Sequence, residues 1–277
     1  MSLLDPLSHA LAAILAAVHT GLTSLGAVPS SAAVWLLCIA AVVFSVRLAL
    51  LPLVAHGVRA TRAAGRARPA LTDLSERFRD RHDPESLRNY LDERRRISAE
   101  HRVSRFSFLP MLIQIPIWLA LYQLISSVVA GHAVGAMGAT LVASLGAAVL
   151  FGVRLTSRGY LAGGPAQLVV VLGLGLLAAM LSFVTQKYLV LPNLNISDQP
   201  TMVIRVQQLM PALSAVGLLV AAGAVPVALL AYWVINSAWT CAQSAVILRC
   251  FPTPGSPAAT RRHPTFSDAG RSRPAGR

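Results

Sequence analysis

Residues 31–58 read SAAVWLLCIAAVVFSVRLALLPLVAHGV, a run with the length and apolarity of a membrane-spanning helix. Arg47 is the only charged residue inside it. At a helical rise of about 1.5 Å per residue, Arg47 lies about 24 Å from Ser31 and about 18 Å from Arg59, so its side chain reaches neither end without water or a partner. Because an arginine in hydrocarbon costs about 2.5–3.5 kcal/mol, we expect Arg47 to face a wet cavity enclosed by other spans.

The composition is that of a polytopic membrane protein. Hydrophobic residues make up 55% of the 277 residues and charged residues only 13%, against about 25% in a soluble domain. The net charge of +13 is concentrated in residues 56–105, with thirteen Arg against eight acidic residues, and in residues 249–277, with six Arg against one acidic residue. The positive-inside rule places both segments in the cytoplasm.

The order of apolar and polar segments predicts an all-α polytopic fold at the cell membrane, with five transmembrane helices, an outer N-terminus and a cytoplasmic C-terminus. The predicted segments are an extracellular-side, peripheral amphipathic helix (1–30), TM1 (31–56), a cytoplasmic helical hairpin (57–105), TM2 (107–129), an extracellular connection (130–164), TM3 (165–187), a cytoplasmic loop (188–203), TM4 (204–223), TM5 (226–249) and a disordered basic tail (250–277). The short apolar run at residues 140–153 leaves open whether the connection dips into the bilayer.

Local patterns support three of these segments. Apolar residues between positions 3 and 26 recur every three or four residues, which predicts an amphipathic helix on the membrane surface. Pro52 follows Arg47 by little more than one turn and predicts a kink in TM1. In the hairpin, Asp83 and Pro84 suit the N-cap and the first position of the second arm.

Polar side chains also occur inside other predicted spans. Gln114 lies in TM2 and Gln186 in TM3, while TM5 carries a polar stripe at steps of four and three that includes Tyr232, Asn236 and Thr240. A polar side chain inside a span seeks a hydrogen-bond partner. Together with Arg47, these residues predict a hydrophilic interior between the helices.

The order of these elements resembles the YidC family of membrane protein insertases. VRLALLPL, which contains Arg47, resembles the first core span of the family, and FLPMLIQIPIWLALYQL is the most specific match. The charged segment that begins RPALTDLSERF resembles its cytoplasmic hairpin, and QQLMPAL followed by VPVALLAYWVINSAWTCAQ resembles its last two spans. The similarity covers about residues 1–250 and looks like the short, five-span Gram-positive or actinobacterial type.

The resemblance implies an insertase and chaperone for membrane proteins, acting alone or with the Sec translocon. In the family, the spans enclose a hydrophilic groove that is open to the cytoplasm and the lipid and closed to the outside, and the intramembrane arginine lies in it. Gln114, Gln186 and Trp233 match positions that line or border this groove, and Tyr232 lies beside the last of them. Asn236, from the polar stripe, completes the predicted substrate groove around Arg47.

The resemblance also implies partners. These are nascent membrane proteins, the Sec translocon and the ribosome, which the hairpin and the basic tail would engage; the charge of the tail alone also predicts binding to anionic lipids. Two departures affect substrate contacts rather than the fold. Val43 stands where the family often has a polar residue, and the entry to TM5, VPVALL, lacks the usual glycine.

Two other function classes fit the sequence less well. An anion transporter or channel would also use a buried arginine, but the sequence has no inverted repeat. An intramembrane hydrolase lacks its chemistry, because no histidine lies in mid-span and no predicted span carries Asp or Glu. We therefore predict no enzymatic activity, and no cofactor or metal site, since Cys38, Cys241 and Cys250 are not spaced as ligands.

Overall fold

The computed structural model describes residues 5–79, 83–103, 109–195 and 201–262, with residues 109–114 and 262 described by their backbone alone. The elements are α1 (Asp5–Ser24), α2 (Ala32–Ala49), α3 (Leu51–Arg77), α4 (Pro84–Glu100), α5 (Leu109–Val129), α6 (Ala139–Ala147), β1 (Val149–Leu150), β2 (Val153–Arg154), α7 (Pro165–Val184), a π-helical turn (Thr185–Val190), a 3₁₀ turn (Leu191–Asn193), α8 (Thr201–Ala222), α9 (Val227–Cys250) and α10 (Pro257–Arg262).

Several of these helices have the size of membrane spans. In the described part of the chain, four are long and apolar enough to cross a bilayer by length and composition: Asp5–Ser24, Ala32–Ala49, Pro165–Asn193 and Thr201–Ala222. The described part of α5, Ile115–Val129, is a shorter apolar helix. At 24 residues α9 also has the length of a span, although its polar stripe makes it less apolar than the others. The molecule is therefore an all-α protein dominated by apolar helices.

The predicted kink near Pro52 is a break between two helices. The hydroxyl of Ser31 accepts a hydrogen bond from the backbone N–H of Ala33 and caps α2, which ends at Ala49. Leu50 separates α2 from α3, and Pro52 lies in the first turn of α3, where its missing N–H is not needed. From Leu51, α3 continues for 27 residues to Arg77. The predicted boundary at residue 56 thus lies inside α3, in its second turn.

The main hydrophobic core joins α1, α2, α5, α6, α7 and α9. Its largest fully buried side chains include Trp35, Leu124 and Leu229. Leu11 and Leu15 of α1 are buried in the same core. The prediction of a peripheral helix is therefore wrong for the packing of α1, because its apolar stripe faces α2 and α5 rather than a membrane surface alone.

Helix α1 runs antiparallel to α2. The ring of His19 lies 4.7 Å from that of Trp35, near the start of α2, whereas Leu11 lines a small cavity with Val43 and Val46 near its end. The connection between the two helices is short, since α1 ends at Ser24 and α2 begins at Ala32. The N-terminal end of α1 is therefore directed toward the level of Arg47.

Helices α7 and α8 form a close pair. A Cβ atom at Gly175 would lie 3.0 Å from the Cβ of Ala222, so glycine permits this approach. Much of the rest of α8 is exposed and apolar, including Leu209, Leu213 and Val220. Such a surface suits contact with lipid or with another apolar helix rather than with water.

The connection between α5 and α7 contains α6 and the β1–β2 hairpin. Nine residues of α6 span about 14 Å, less than half of a hydrocarbon core of about 30 Å. The hydroxyl of Ser144 on α6 donates to the carbonyl oxygen of Pro29 (2.7 Å) and accepts from Nε1 of Trp35 (3.2 Å). Helix α6 is therefore fastened to the beginning of α2 and is too short to cross a bilayer.

Helices α3 and α4 pack against each other as two antiparallel arms. Leu74 and Ile97 are buried between them, and the rings of Phe78 and Tyr90 meet at 5.9 Å. The carboxylate of Asp83 accepts a hydrogen bond from the backbone N–H of Ser86 (2.8 Å), and Pro84 opens α4, as the sequence predicts. Residues 80–82 and 104–105 of the predicted hairpin lie outside the described ranges.

The segment after α9 is packed, so the prediction of a disordered tail from residue 250 is wrong as far as residue 262. Thr253 and Ser256 are buried. The backbone N–H of Thr253 donates to Oδ1 of Asn193 (2.8 Å). At Gly65 of α3, an added Cβ would lie 2.8 Å from the carbonyl oxygen of Pro254, so the segment rests directly on α3. Residues 263–277 lie outside the described ranges.

Candidate functional site

Arg47 is held by two side chains of α9. Its Nε and Nη2 atoms donate to Oδ1 of Asn236 at 3.2 and 2.6 Å, and Nη2 also donates to Oγ1 of Thr240 at 3.0 Å. Thr240 in turn donates to the backbone carbonyl of Asn236 (2.8 Å). A spacing of four residues places Asn236 and Thr240 one above the other on the same face of α9. The single charge of α2 is thus stabilised by hydrogen bonds to neutral side chains rather than by an acidic residue.

The surroundings of Arg47 are otherwise apolar. A small cavity beside it is lined by Leu11 of α1, by Tyr232 and Asn236 of α9, and by aliphatic side chains of α2 and α5. Within the described parts of the chain, Nη1 of Arg47 has no hydrogen-bond partner. One edge of the guanidinium therefore faces α9 and its other nitrogen is available to an incoming group.

A larger cleft lies between α3 and the C-terminal half of α9. Its volume is about 530 Å³. Its lining residues are Leu51, Val54, Ala55, Val58, Arg59, Arg62, Trp239, Ala242, Gln243, Val246, Ile247 and Phe251. Trp239 lies at its inner end, where its ring meets that of Phe44 edge-on at 4.9 Å. We call this space the α3–α9 cleft.

The structure brings together three of the predicted groove residues, Arg47, Tyr232 and Asn236. Trp233 instead packs at the edge of the main core. Gln186 lies in the π-helical turn, where Nε2 donates to Oγ of Ser182 on α7 and Oε1 accepts from Ser214 on α8. The side chain of Gln114 lies outside the described residues. Neither Trp233 nor Gln186 lines the cavity beside Arg47.

Thr240 was not among the predicted groove residues, yet it binds the guanidinium directly. Its signal was the polar stripe of α9, in which it follows Asn236 by four residues. Spacing alone could not show that both side chains contact α2, because a helix of this kind also has polar positions that face other neighbours. The contact requires the two helices to be placed side by side.

The chain matches the family model described as 60Kd inner membrane protein over residues 28–253. This range covers most of the chain, from the residues just before α2 to the packed segment after α9. This chain belongs to the YidC family. The resemblance seen in the sequence is therefore confirmed, and the protein is a multi-pass membrane protein of the cell membrane.

Relatives in the YidC family cover most of this chain. "Membrane protein insertase YidC" of Streptomyces avermitilis is 29% identical over 245 residues, which are 81% of this chain and 53% of the relative. Its namesake in Tropheryma whipplei strain Twist is 28% identical over 269 residues, 92% of this chain and 86% of the relative. The protein of the same name in Bifidobacterium longum is 26% identical over 253 residues, which are 89% of this chain and 75% of the relative. The chain thus spans about half the length of the first relative and most of the other two.

The YidC family match covers the residues that hold Arg47 but leaves out α1. Arg47, Asn236 and Thr240 lie inside the matched range, as does the segment that rests on Gly65. Helix α1 ends at Ser24, before the range begins. One wall of the cavity at Arg47 is therefore supplied by a helix that lies outside the matched range.

Proposed function

We propose that this protein inserts membrane proteins into the cell membrane and assists their folding, alone or together with the Sec translocon. The observation that supports this most directly is Arg47, a charged residue held by Asn236 and Thr240 inside a bundle of apolar helices. An arginine in such a place marks a functional path in a membrane protein. The relatives named membrane protein insertases give the path its substrate class.

The barrier that an insertase lowers is the cost of moving polar groups through hydrocarbon. Each unsatisfied polar group costs several kcal/mol there. Arg47 offers the N–H groups of Nη1 to an acidic residue of the client, and attraction between opposite charges is strengthened where water is scarce. The client's apolar span then enters lipid along α5 and the exposed apolar face of α8. The process needs neither a covalent intermediate nor a bound cofactor.

We further propose that α3, α4 and the C-terminal segment lie in the cytoplasm, with the predicted groove open to that side. The two basic clusters support this orientation, and the same charges suit the ribosome and anionic lipids as partners. The direction of α1 favours a position of its first residue, Asp5, near the depth of Arg47 over the predicted outer surface. No observation favours the alternative of an anion transporter.

The test is insertion of a small model client into vesicles that contain the full chain. Arg47→Ala is expected to abolish insertion of a client with an acidic translocated segment, and Arg47→Lys to retain part of it. A client in which Asn replaces the acidic residue serves as the matched control and should depend less on Arg47. If the acidic client inserts normally with Arg47→Ala at equal protein levels, Arg47 has no role as an electrostatic anchor.

A further inference from the structure

We propose that the α3–α9 cleft binds an anionic phospholipid of the cytoplasmic leaflet, with an acyl chain against its apolar walls and the phosphate at Arg59 and Arg62. The proposal uses the cytoplasmic orientation given above, but it does not depend on Arg47 or on insertion. It concerns a part of the molecule below the candidate site, on α3 and the last turns of α9.

The dimensions and walls of the cleft suit an acyl chain. From Leu51 to Arg62 the cleft follows α3 for about 16 Å, close to half of a hydrocarbon core of about 30 Å. Val54, Val58 and Val246 are among the residues that line it. The polar atoms at its inner end pair with each other, since Nε1 of Trp239 donates to Oε1 of Gln243 at 2.9 Å.

The mouth of the cleft is positively charged. Arg59 and Arg62 are three positions apart on α3, so they point to the same side of the helix. The guanidinium of Arg62 stands over the ring of Phe251, 5.9 Å from its centroid. Among the described residues, its buried Nε atom has no hydrogen-bond partner.

The chain offers these arginines almost no counter-charge of its own. The sequence has no acidic residue between Asp5 and Asp73, and between Glu100 and Asp268 it has only Asp198. The two walls of the cleft, α3 up to Arg62 and α9, therefore contain no carboxylate. Among the described residues that line the cleft there is no carboxylate, so an anionic group from outside the chain suits this site.

Charge also discriminates between possible occupants. The cytoplasmic flanks of membrane spans are rich in Lys and Arg, so a client span in the cleft would place like charges beside Arg59 and Arg62. A free phosphate would leave the apolar walls uncovered. A lipid with a net negative headgroup matches both the apolar walls and the two arginines of the cleft, as expected for basic pockets between helices at the cytoplasmic side.

The experiment uses the tryptophan at the inner end of the cleft. The full chain is placed in nanodiscs with brominated phosphatidylglycerol or brominated phosphatidylcholine, and the contribution of Trp239 is obtained by comparison with Trp239→Phe. We expect stronger quenching of Trp239 by the anionic lipid. Arg59→Gln with Arg62→Gln should weaken this preference on the order of tenfold in lipid concentration. Arg66→Gln with Arg77→Gln, which removes the same charge from exposed positions, should preserve it.

A second variant guards against a change in folding. Val54→Phe narrows the cleft without adding a second indole and leaves both arginines in place, so it should remove the preferential contact while the charge at the mouth is unchanged. Equal quenching of Trp239 by the two lipids, or a preference that survives loss of both arginines, overturns the proposal. A client segment that crosslinks from Val246 and displaces the anionic lipid would assign the cleft to clients instead. Insertion measured with Arg47→Ala reports separately on the proposed function.

Discussion

The pairing of Arg47 with Asn236 is expected to be among the strongest cross-helix contacts in the molecule. We consider Asn236→Leu, which keeps a similar volume and removes the acceptor of two hydrogen bonds from the guanidinium. The Nη2–Oδ1 distance of 2.6 Å is at the short end for a bond from a charged donor. The substitution Asn236→Leu thus tests the contact that joins Arg47, the only charged residue of α2, to α9.

The expected magnitude follows from the charge. A hydrogen bond to a charged group contributes about 1.5–3 kcal/mol, whereas neutral polar contacts between membrane helices average about 0.6 kcal/mol. Because Thr240 still accepts from Nη2 after Asn236 is lost, the guanidinium is not left without a partner. We therefore expect a coupling energy between Arg47 and Asn236 of about 1.5–3 kcal/mol.

The measurement is a double-mutant cycle on the free energy of unfolding in mixed micelles, with Arg47→Met, Asn236→Leu and the double variant. The chain contains its own control, because Ser214 of α8 donates to Gln186 of the π-helical turn at 3.4 Å and neither side chain is charged. The cycle of Gln186→Met and Ser214→Ala should give about 0.6 kcal/mol. If the Arg47–Asn236 coupling is no larger than that of the control pair, the charge-based reasoning is refuted.

Three further outcomes are expected. A bulkier residue at Gly65, as in Gly65→Val, should displace the segment after α9 and raise its rate of amide hydrogen exchange, because the backbone of that segment lies too close for a side chain; unchanged exchange would contradict this packing. Ser144→Ala should lower the free energy of unfolding by about 1–3 kcal/mol, since the buried N–H of Trp35 loses its acceptor, and Ser144→Thr should restore part of it. In sealed vesicles, a membrane-impermeant maleimide should label exposed Cys250 only from the cytoplasmic side and leave buried Cys38 unlabelled from both sides; labelling of Cys250 from outside would reverse the proposed orientation.

The features that sequence predicted well depend on local composition. The apolar stretch around Arg47 had to form a helix that buries its charge against polar neighbours, and the four-residue step of Asn236 and Thr240 put suitable acceptors on one face. The cap at Asp83 depends only on its position before Pro84. These features follow from residues close together in the chain or from a single helix face.

The errors concern contacts that local composition does not contain. The apolar stripe of α1 is the same whether it meets a membrane surface or another helix, so periodicity could not predict the burial of Leu11. The Pro- and Gly-rich sequence after Cys250 is typical of disorder, yet Asn193 of the 3₁₀ turn, 60 residues earlier in the chain, accepts a hydrogen bond from the backbone of Thr253 there. Gln186 likewise accepts a hydrogen bond from Ser214 on α8. This partner depends on how closely α7 and α8 approach each other, which the position of Gln186 in the sequence does not show.

Leu50, the single residue between α2 and α3, connects a long helical arm directly to the helix that carries Arg47. Helix α3 extends about 40 Å from Leu51 to Arg77, while Arg47 stands only three residues before Leu50. A rotation of about 10° at Leu50 would displace the far end of α3 by about 7 Å, and the same torque would act on the turn of α2 that carries the guanidinium. The packed segment on Gly65 supports this arm just past the middle of its length. With α3 in the cytoplasm, as proposed above, a large body that pulls on the tip of α3 would therefore exert force at the depth of Arg47 without entering the bilayer.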